Sequence, residues 1–241
     1  MLALGRILGP FGCSGSAPPP SSVEIKTSVM TEYYPVRGTT AAAIFEEIDK
    51  NGLFEKSGQR AIGLTGADWK LDSDGPCNAP SLTITLKLVV TLPRHEQPEV
   101  LHGDVRRHWE RFAARIAAHE QRHVDIFLDG AQSMKASMAT TRAKGASCAA
   151  VEKTVDELWT RGQAEIARAQ DRFHVEDDAK VKAERGPLQA DLDASKARLA
   201  ALETAMRTPG VSRDEHAKLA DEYRQLVAAI NDLIEGLNWI H

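Results

Sequence analysis

The hydrophobic pattern of this chain changes near Pro93 and Pro98, and no other feature limits its possible folds as strongly. From Leu82 to Leu92, apolar residues alternate with threonine and lysine, which predicts a strand with one buried face. After Pro98 the apolar residues recur at helical spacing. We therefore expect an α+β fold: a small antiparallel sheet with one helix packs on a long antiparallel helix pair, and a coiled helical hairpin follows.

The residues before Pro93 have the pattern of a second strand, a short helix and further strands. Alternation from Val23 to Val29 predicts a strand, and Tyr33–Gly38 is expected to turn the chain. A short helix with Ile48 on its apolar face follows, and Asn51-Gly52 is a typical C-terminal stop for it. Apolar residues between Ile62 and Leu71 indicate one or two more strands.

Two long helices are predicted after Pro98. Asp104 can cap the first, whose apolar residues continue to about Met138. Ser147 begins the second, which has an apolar face as far as Phe173. Because the connection between them is short, we expect the two helices to pack as an antiparallel pair.

From Lys180 onward, leucines recur at coiled-coil spacing on both sides of a turn at Thr208-Pro209-Gly210, which predicts a helical hairpin. Ser212 and Glu215 have the spacing of a capping box at the start of its second helix. Pro187 fits a first-turn or kink position and not a helix interior. This hairpin, residues 179–241, is a candidate for self-association or for binding a partner.

Composition and charge exclude two classes of partner or location. The net charge is −4 and the basic residues are dispersed among acidic ones, so we expect no nucleic-acid partner. No apolar stretch reaches the roughly 18 residues that a membrane-spanning helix needs, so we expect no membrane span.

The N-terminal segment, residues 1–22, resembles a short export leader followed by a flexible linker, in which Cys13 could carry a lipid. An unstructured cytoplasmic tail is the alternative. In an exported chain Cys77 and Cys148 could form a disulfide, whereas otherwise they are free thiols. We divide the chain into this segment, a metal-binding domain at residues 23–178, and the hairpin.

The residues that most directly indicate chemistry are His119-Glu120-Gln121-Arg122-His123, in the middle of the first long helix. Positions i and i+4 share a helix face, so His119 and His123 can present two imidazole nitrogens to one tetrahedral zinc ion. In zinc hydrolases with this spacing the glutamate is not a ligand. It takes a proton from water whose acidity the zinc raises, which is the role we expect for Glu120.

A catalytic zinc site needs a third protein ligand and an open position. If the antiparallel pair turns near Lys144-Gly145, residues 119 and 123 lie opposite residues near 170 and 166. His174 continues the apolar face there and is the best metal-binding side chain, so we predict it as the third ligand. The alternatives that remain open are Glu165, Asp171 and, six residues after the second histidine, Asp129.

Residues 23–178 resemble a bacterial family of unknown function that is described as predicted secreted zinc-dependent proteases. The features that carry the resemblance are Tyr34-Pro35-Val36-Arg37-Gly38, Leu64-Thr65 with Trp69, Cys77, Thr91-Leu92-Pro93, Trp109 and His119–Val124. The resemblance implies a zincin-like domain, export and a bridge between Cys77 and Cys148. It does not extend to the hairpin, and Phe173-His174 stands where the family tends to have a Tyr-Asp segment.

These observations favour a secreted zinc-dependent peptidase, located in the periplasm, outside the cell or on a lipid tether, with the cytoplasm as the alternative. We expect a peptide or protein substrate, which could add as a strand along Leu82–Leu92. The first alternative is a non-catalytic, zinc-stabilised envelope module that contacts a partner through the hairpin. The second is a metal-free envelope protein that oligomerises through it.

Overall fold

The computed structural model describes residues 5–6, 22–54, 60–75, 77, 80–139, 147–210 and 212–240. These residues confirm the α+β class, with a four-stranded sheet, a two-stranded ribbon and four α-helices. The elements in chain order are β1 (Gly5–Arg6), β2 (Val23–Val36), α1 (Ala41–Asn51), β3 (Leu53–Phe54), β4 (Arg60–Ala61), β5 (Leu64–Asp74), β6 (Ser81–His95), α2 (Gly103–Ala139), α3 (Cys148–Met206) and α4 (Arg213–Asn238).

The four strands are ordered β1-β5-β6-β2, and only the β5–β6 pair is antiparallel. The prediction of an antiparallel sheet is therefore wrong for β2 and β1, which pair in parallel with β6 and β5. The connection from β2 to β6 includes α1 and three strands, and such a long crossover allows parallel pairing. The addition of a substrate strand along Leu82–Leu92 would require β6 to be an edge strand. This expectation is wrong, because β6 lies between β5 and β2.

Strand β2 is longer than predicted. It continues through Tyr34 to Val36, because both of these side chains are buried in a core. The turn expected from Tyr33 onward begins only after Val36, and Gly38 adopts a φ of 122° there. A Cβ at Gly38 would lie 2.9 Å from the Cβ of Ala43, so α1 also packs closely on this turn.

Two hydrophobic cores hold the domain together. In the first, the buried face of β6 packs against the second half of α2 and the beginning of α3, which confirms the alternation predicted for this strand. The second core joins the far end of β2 to α1, to the first half of α2 and to Trp239 near the C-terminus. Strand β2 thus contributes Val23 to one core and Tyr34 and Val36 to the other.

Helices α2 and α3 form the predicted antiparallel pair, and two glycines set how closely they approach. A Cβ at Gly130 would lie 2.2 Å from Ile166 Cγ1, and a Cβ at Gly162 would lie 2.2 Å from Met134 Cγ. Ser147 caps α3 as predicted. Helix α2 starts at Gly103, so Asp104 lies in its first turn, paired with Arg107, and is not the residue before the helix.

Helix α3 continues without interruption past residue 178 to Met206, so it belongs to both the helix pair and the C-terminal hairpin. Pro187 lies inside this helix, contrary to the prediction that it avoids a helix interior. Tertiary contacts support the helix at this point: Arg185 Nη1 donates hydrogen bonds to the carbonyl oxygens of Leu237, at 2.9 Å, and Ile240, at 2.5 Å. The end of α4 is thereby held against α3.

The predicted hairpin is present, and Ser212 and Glu215 form its capping box. Its two helices pack through a cluster of leucines and Ile230. A disulfide joins Cys77 to Cys148, the first residue of α3. Cys13 lies outside the described residues. None of the helices in the described part of the chain has the length and the hydropathy that crossing a membrane requires.

Candidate metal centre

Three histidines from two helices meet on one side of the α2–α3 pair. Helix α2 presents His119 and His123 one turn apart, and α3 presents His174 opposite them. One ring nitrogen from each lies within 4.8 Å of the others. His123 is buried, His119 is half-buried and His174 is exposed, so the cluster is enclosed from below and open on one side. These three side chains could hold a metal ion.

The orientation of the two α2 histidines is set by partners on α3. His119 Nδ1 lies 2.7 Å from Asp177 Oδ2, and His123 Nδ1 lies 2.5 Å from Gln170 Oε1. An ionised carboxylate can only accept a hydrogen bond, so Nδ1 of His119 is the donor. The Gln170 amide nitrogen donates to the His123 carbonyl oxygen, which assigns its Oε1 as the acceptor from His123 Nδ1. In the tautomers that place the proton on Nδ1, the Nε2 of each ring carries a lone pair.

These two Nε2 atoms lie 3.1 Å apart. Two lone pairs at this distance repel each other unless a shared proton or a metal ion lies between them. Two ligands of a tetrahedral ion, each about 2.0–2.1 Å from it, are roughly 3.3 Å apart, so the spacing fits a shared metal ion. Burial lowers the pKa of His123 to about 4, which keeps this ring in the neutral form that ligates a metal.

Phe173 forms an apolar wall beside the cluster. Its ring centroid lies 4.8 Å from that of His119 and 4.9 Å from that of His123. Such packing restricts the rotation of both imidazoles, in addition to the hydrogen bonds on their Nδ1 atoms. The same arrangement, in which outer partners orient the ligand rings, is general in metal sites and strengthens metal binding.

Glu120 points to the sheet and not into the histidine cluster. Its side chain is 4% exposed, and its Oε2 accepts a hydrogen bond of 2.7 Å from the Thr65 hydroxyl on β5. Gly63, just before β5, permits this position, because a Cβ there would lie 2.7 Å from Glu120 Oε1. The first residues of β5 thus hold the carboxylate beside the histidines, without making it part of the cluster of metal-binding atoms.

The structure brings His174 to the predicted place, whereas Glu165, Asp171 and Asp129 are exposed and do not belong to the cluster. The expected register of the helix pair was wrong by about two turns, since His119 lies opposite Asp177 and not residue 170.

Four residues that position the histidines and Glu120 were not predicted to belong to the site: Gln170, Asp177, Thr65 and Gly63. Gln170, His174 and Asp177 recur at i, i+4 and i+7, so their helical spacing was a signal that could have identified them as one face. No comparable signal marks Thr65 or Gly63.

Residues 31–180 match the family described as "Bacterial protein of unknown function (DUF922)". The matched segment contains all three histidines, their partners on α3, and the β5 residues that hold Glu120. Comparisons with curated proteins and with solved structures find no significant similarity. Since the match covers more than half of the chain, the chain belongs to the DUF922 family of bacterial proteins of unknown function.

Proposed function

We propose that this chain is a zinc-dependent peptidase in which His119, His123 and His174 hold the metal and Glu120 acts as general base. The observation that carries the proposal is the pair of Nε2 atoms 3.1 Å apart, on rings whose Nδ1 atoms are both engaged. Three protein ligands and an open position are typical of catalytic zinc, whereas structural zinc has four protein ligands. The exposure of His174 leaves such an opening.

Zinc is the metal that best suits this donor set, because neutral imidazole is a good ligand for a borderline-soft ion. When bound, zinc would polarise the substrate carbonyl and raise the acidity of water. Asp177 and Gln170 contribute by holding the Nδ1 protons of the two α2 histidines, so that both Nε2 atoms stay available for the metal.

In this proposal Glu120 moves protons during hydrolysis. Its carboxylate accepts a proton as the water oxygen forms a bond to the carbonyl carbon of the substrate. The same group then gives that proton to the leaving nitrogen as the C–N bond breaks. The Thr65 hydroxyl, 2.7 Å from Oε2, fixes the orientation of the carboxylate. The burial of Glu120 excludes bulk water from the side of the carboxylate that faces the sheet.

The substrate is proposed to be an extended peptide that lies along β5. In the part of the chain that the structure describes, β1 pairs with β5 only at Lys70 and Leu71. The outer edge from Leu64 to Trp69 is paired with no described strand, and it begins at the residues that contact Glu120. A peptide added at this edge would be held by its main chain, next to the metal.

Export is part of the proposal. The Cys77–Cys148 bridge is the supporting observation, because disulfides persist in secreted and periplasmic proteins and are rare in the cytosol.

The test measures zinc content and peptide cleavage in Glu120→Gln. We expect the variant to retain zinc and to lose cleavage of a fluorogenic peptide library by at least about 100-fold, because only proton transfer is removed. Glu110→Gln is the matched control, since Glu110 is an exposed glutamate on the same helix that pairs with Arg106. Wild-type cleavage by Glu120→Gln would refute the general-base role.

A second pair of variants tests the metal site itself. His174→Ala is expected to lose zinc by elemental analysis, whereas Glu165→Ala, on the same helix but outside the cluster, should retain it. Absence of zinc from the wild-type protein purified with added zinc would contradict the site. Bound zinc without cleavage of any peptide in the library would contradict the peptidase and favour the non-catalytic, zinc-stabilised module.

A further inference from the structure

The middle of β2 is exposed on both faces of the sheet. Val29 is 50%, Met30 52% and Tyr33 54% exposed, although they lie within a strand. The reason is that β2 crosses from one core to the other: Val23 is buried in the first, while Tyr34 is buried in the second. Beyond Ile25, which is partly buried against the first core, neither core covers the strand until Tyr34. Strand β2 is also the last one in the order of the sheet.

The backbone groups on the open side of β2 can be identified from its pairing with β6. Leu82 N donates to Ser22 O and Glu96 N donates to Val36 O, so the even-numbered residues of β2 direct their backbone groups to β6. Because these directions alternate along a strand, the odd-numbered residues direct theirs away from the sheet. Among the described residues, no strand pairs with these groups between Ile25 and Tyr33.

The open segment has a definite end. Asn51 Nδ2, in the last turn of α1, donates to the Pro35 carbonyl oxygen at 3.3 Å. This contact covers the edge beyond Tyr33, and Pro35 has no N–H to offer there. The available edge is therefore residues 25–33, about the length of an ordinary strand.

In an antiparallel pair of edge strands, the residues whose backbone groups point away from each sheet lie opposite one another. A second copy of β2 can pair with the first in this way. When two copies are centred on Val29, Lys26 of each copy lies opposite Glu32 of the other, and Ile25 lies opposite Tyr33. Other registers must also keep odd-numbered residues opposite odd-numbered ones. Moving the centre of the pairing from Val29 to Ser28 places Glu24 opposite Glu32, and moving it to Met30 places Lys26 opposite Tyr34. Of these three registers, only the one centred on Val29 therefore places opposite charges across from each other.

We propose that two copies of this chain pair through β2, antiparallel about Val29, to form one continuous sheet across the dimer. Apolar and β-branched side chains fill one face of the junction, with Val29 against Val29 and Thr27 against Thr31. The other face carries the two ion pairs. Long, exposed edge strands of this composition are sites of intermolecular pairing in general, and here the charges specify a single register.

The first test is cross-linking of the full chain with Cys13→Ser, so that the introduced cysteine is the only thiol outside the bridge. In the proposed register the two Val29 Cα atoms are about 5.5 Å apart, within the range of a disulfide. The two Thr27 Cα atoms are roughly 13 Å apart, which is too far. Val29→Cys should therefore give a covalent dimer under mild oxidation, and Thr27→Cys should not. Equal cross-linking of both variants would overturn the register.

The second test uses sedimentation equilibrium to measure dimer dissociation. Lys26→Glu and Glu32→Lys should each weaken the dimer by about tenfold, because each change creates two pairs of like charges. The double variant should return to within about threefold of the wild type. A wild-type chain that stays monomeric at all concentrations, or a dimer that none of these variants changes, would overturn the proposal.

Discussion

The close approach of α2 and α3 at Gly130 makes a specific prediction for Gly130→Ala. The added Cβ would lie 2.2 Å from Ile166 Cγ1 and 2.5 Å from its Cδ1, whereas carbon atoms normally approach to about 3.5–4.0 Å. Ile166 is buried and β-branched, so its side chain has little rotational freedom in a helix. The clash must therefore be relieved by separating the two helices.

Two opposing effects decide the size of the change. Alanine favours a helix over glycine by about 0.8–1.0 kcal/mol, while overpacking a well-packed contact costs about 1–3 kcal/mol. Since the approach is more than 1 Å too short, we take the upper part of this range. The net loss in the free energy of unfolding is then about 1–2 kcal/mol, equivalent to a Tm lower by roughly 2–8 °C in a chain of this size. Zinc binding should weaken too, because His174 moves with α3.

The assay is urea and thermal unfolding of the chelated protein, with zinc titration as a second readout. Gly236→Ala is the matched control: it is a helical glycine with open space around it, so we expect up to about 1 kcal/mol of stabilisation. Gly186 is equally open but precedes Pro187, which disfavours a Cβ in helical backbone. Gly162→Ala should cost less than Gly130→Ala, because Met134 can adapt its side chain.

A result in which Gly130→Ala stabilises the protein as much as Gly236→Ala, with unchanged zinc affinity, would refute the close approach of the two helices.

Three further predictions concern the stability of the fold. Replacing Cys77 and Cys148 together by alanine should lower the free energy of unfolding by up to about 4 kcal/mol, because the bridge closes a loop of 71 residues; urea unfolding measures it. In chelated protein, the burial that lowers the pKa of His123 to about 4 should reduce stability as the pH falls from about 6.5 to 4. His123 resists protonation in the folded state but accepts a proton in the unfolded state, so its contribution to the free energy of unfolding is complete above pH 6.5. We expect a loss of roughly 1–2 kcal/mol as the pH falls to 4, and a smaller loss in His123→Gln. Arg185→Met should cost about 1–3 kcal/mol through the two lost hydrogen bonds and shift the fluorescence of Trp239 to the red, with Trp239→Phe as the spectral reference.

The local elements of the fold could be predicted because each depends on nearby residues. Alternation identified β6, and the caps at Ser147 and Ser212 identified the starts of α3 and α4. The direction of β2 could not be predicted in this way, because alternation shows which face is buried but not which strand lies beside it. The prediction for Pro187 was wrong for a related reason, since the local sequence does not show that the end of α4 packs against α3 at this point, where Arg185 donates to its carbonyl oxygens.

The candidate site was predictable in part. Two histidines four residues apart in a helix must share a face, so His119 and His123 needed no tertiary information. The prediction of the third histidine depended on the register of the helix pair. An error of about two turns in that register preserved the face but changed the residues that lie opposite His119 and His123. His174 was found because it lies on that face, while its neighbour Asp177 was missed. Thr65 lies on strand β5 and Glu120 on helix α2, far apart in the sequence, so no local pattern connects them.

Helix α3 is attached to the domain along its first part, by the disulfide at Cys148, by core residues from Val151 to Ile166 and by Gln170 and Asp177 beside the histidines. It is attached again at Arg185, which donates to two carbonyl oxygens at the end of α4. His174 lies within the first of these attachments, and the turn at Thr208-Pro209-Gly210, at the far end of the hairpin, lies beyond both of them along the chain. We expect that the hairpin can be shortened or extended by matched heptads in both of its helices without moving His174, which makes its length a freely adjustable property of this fold.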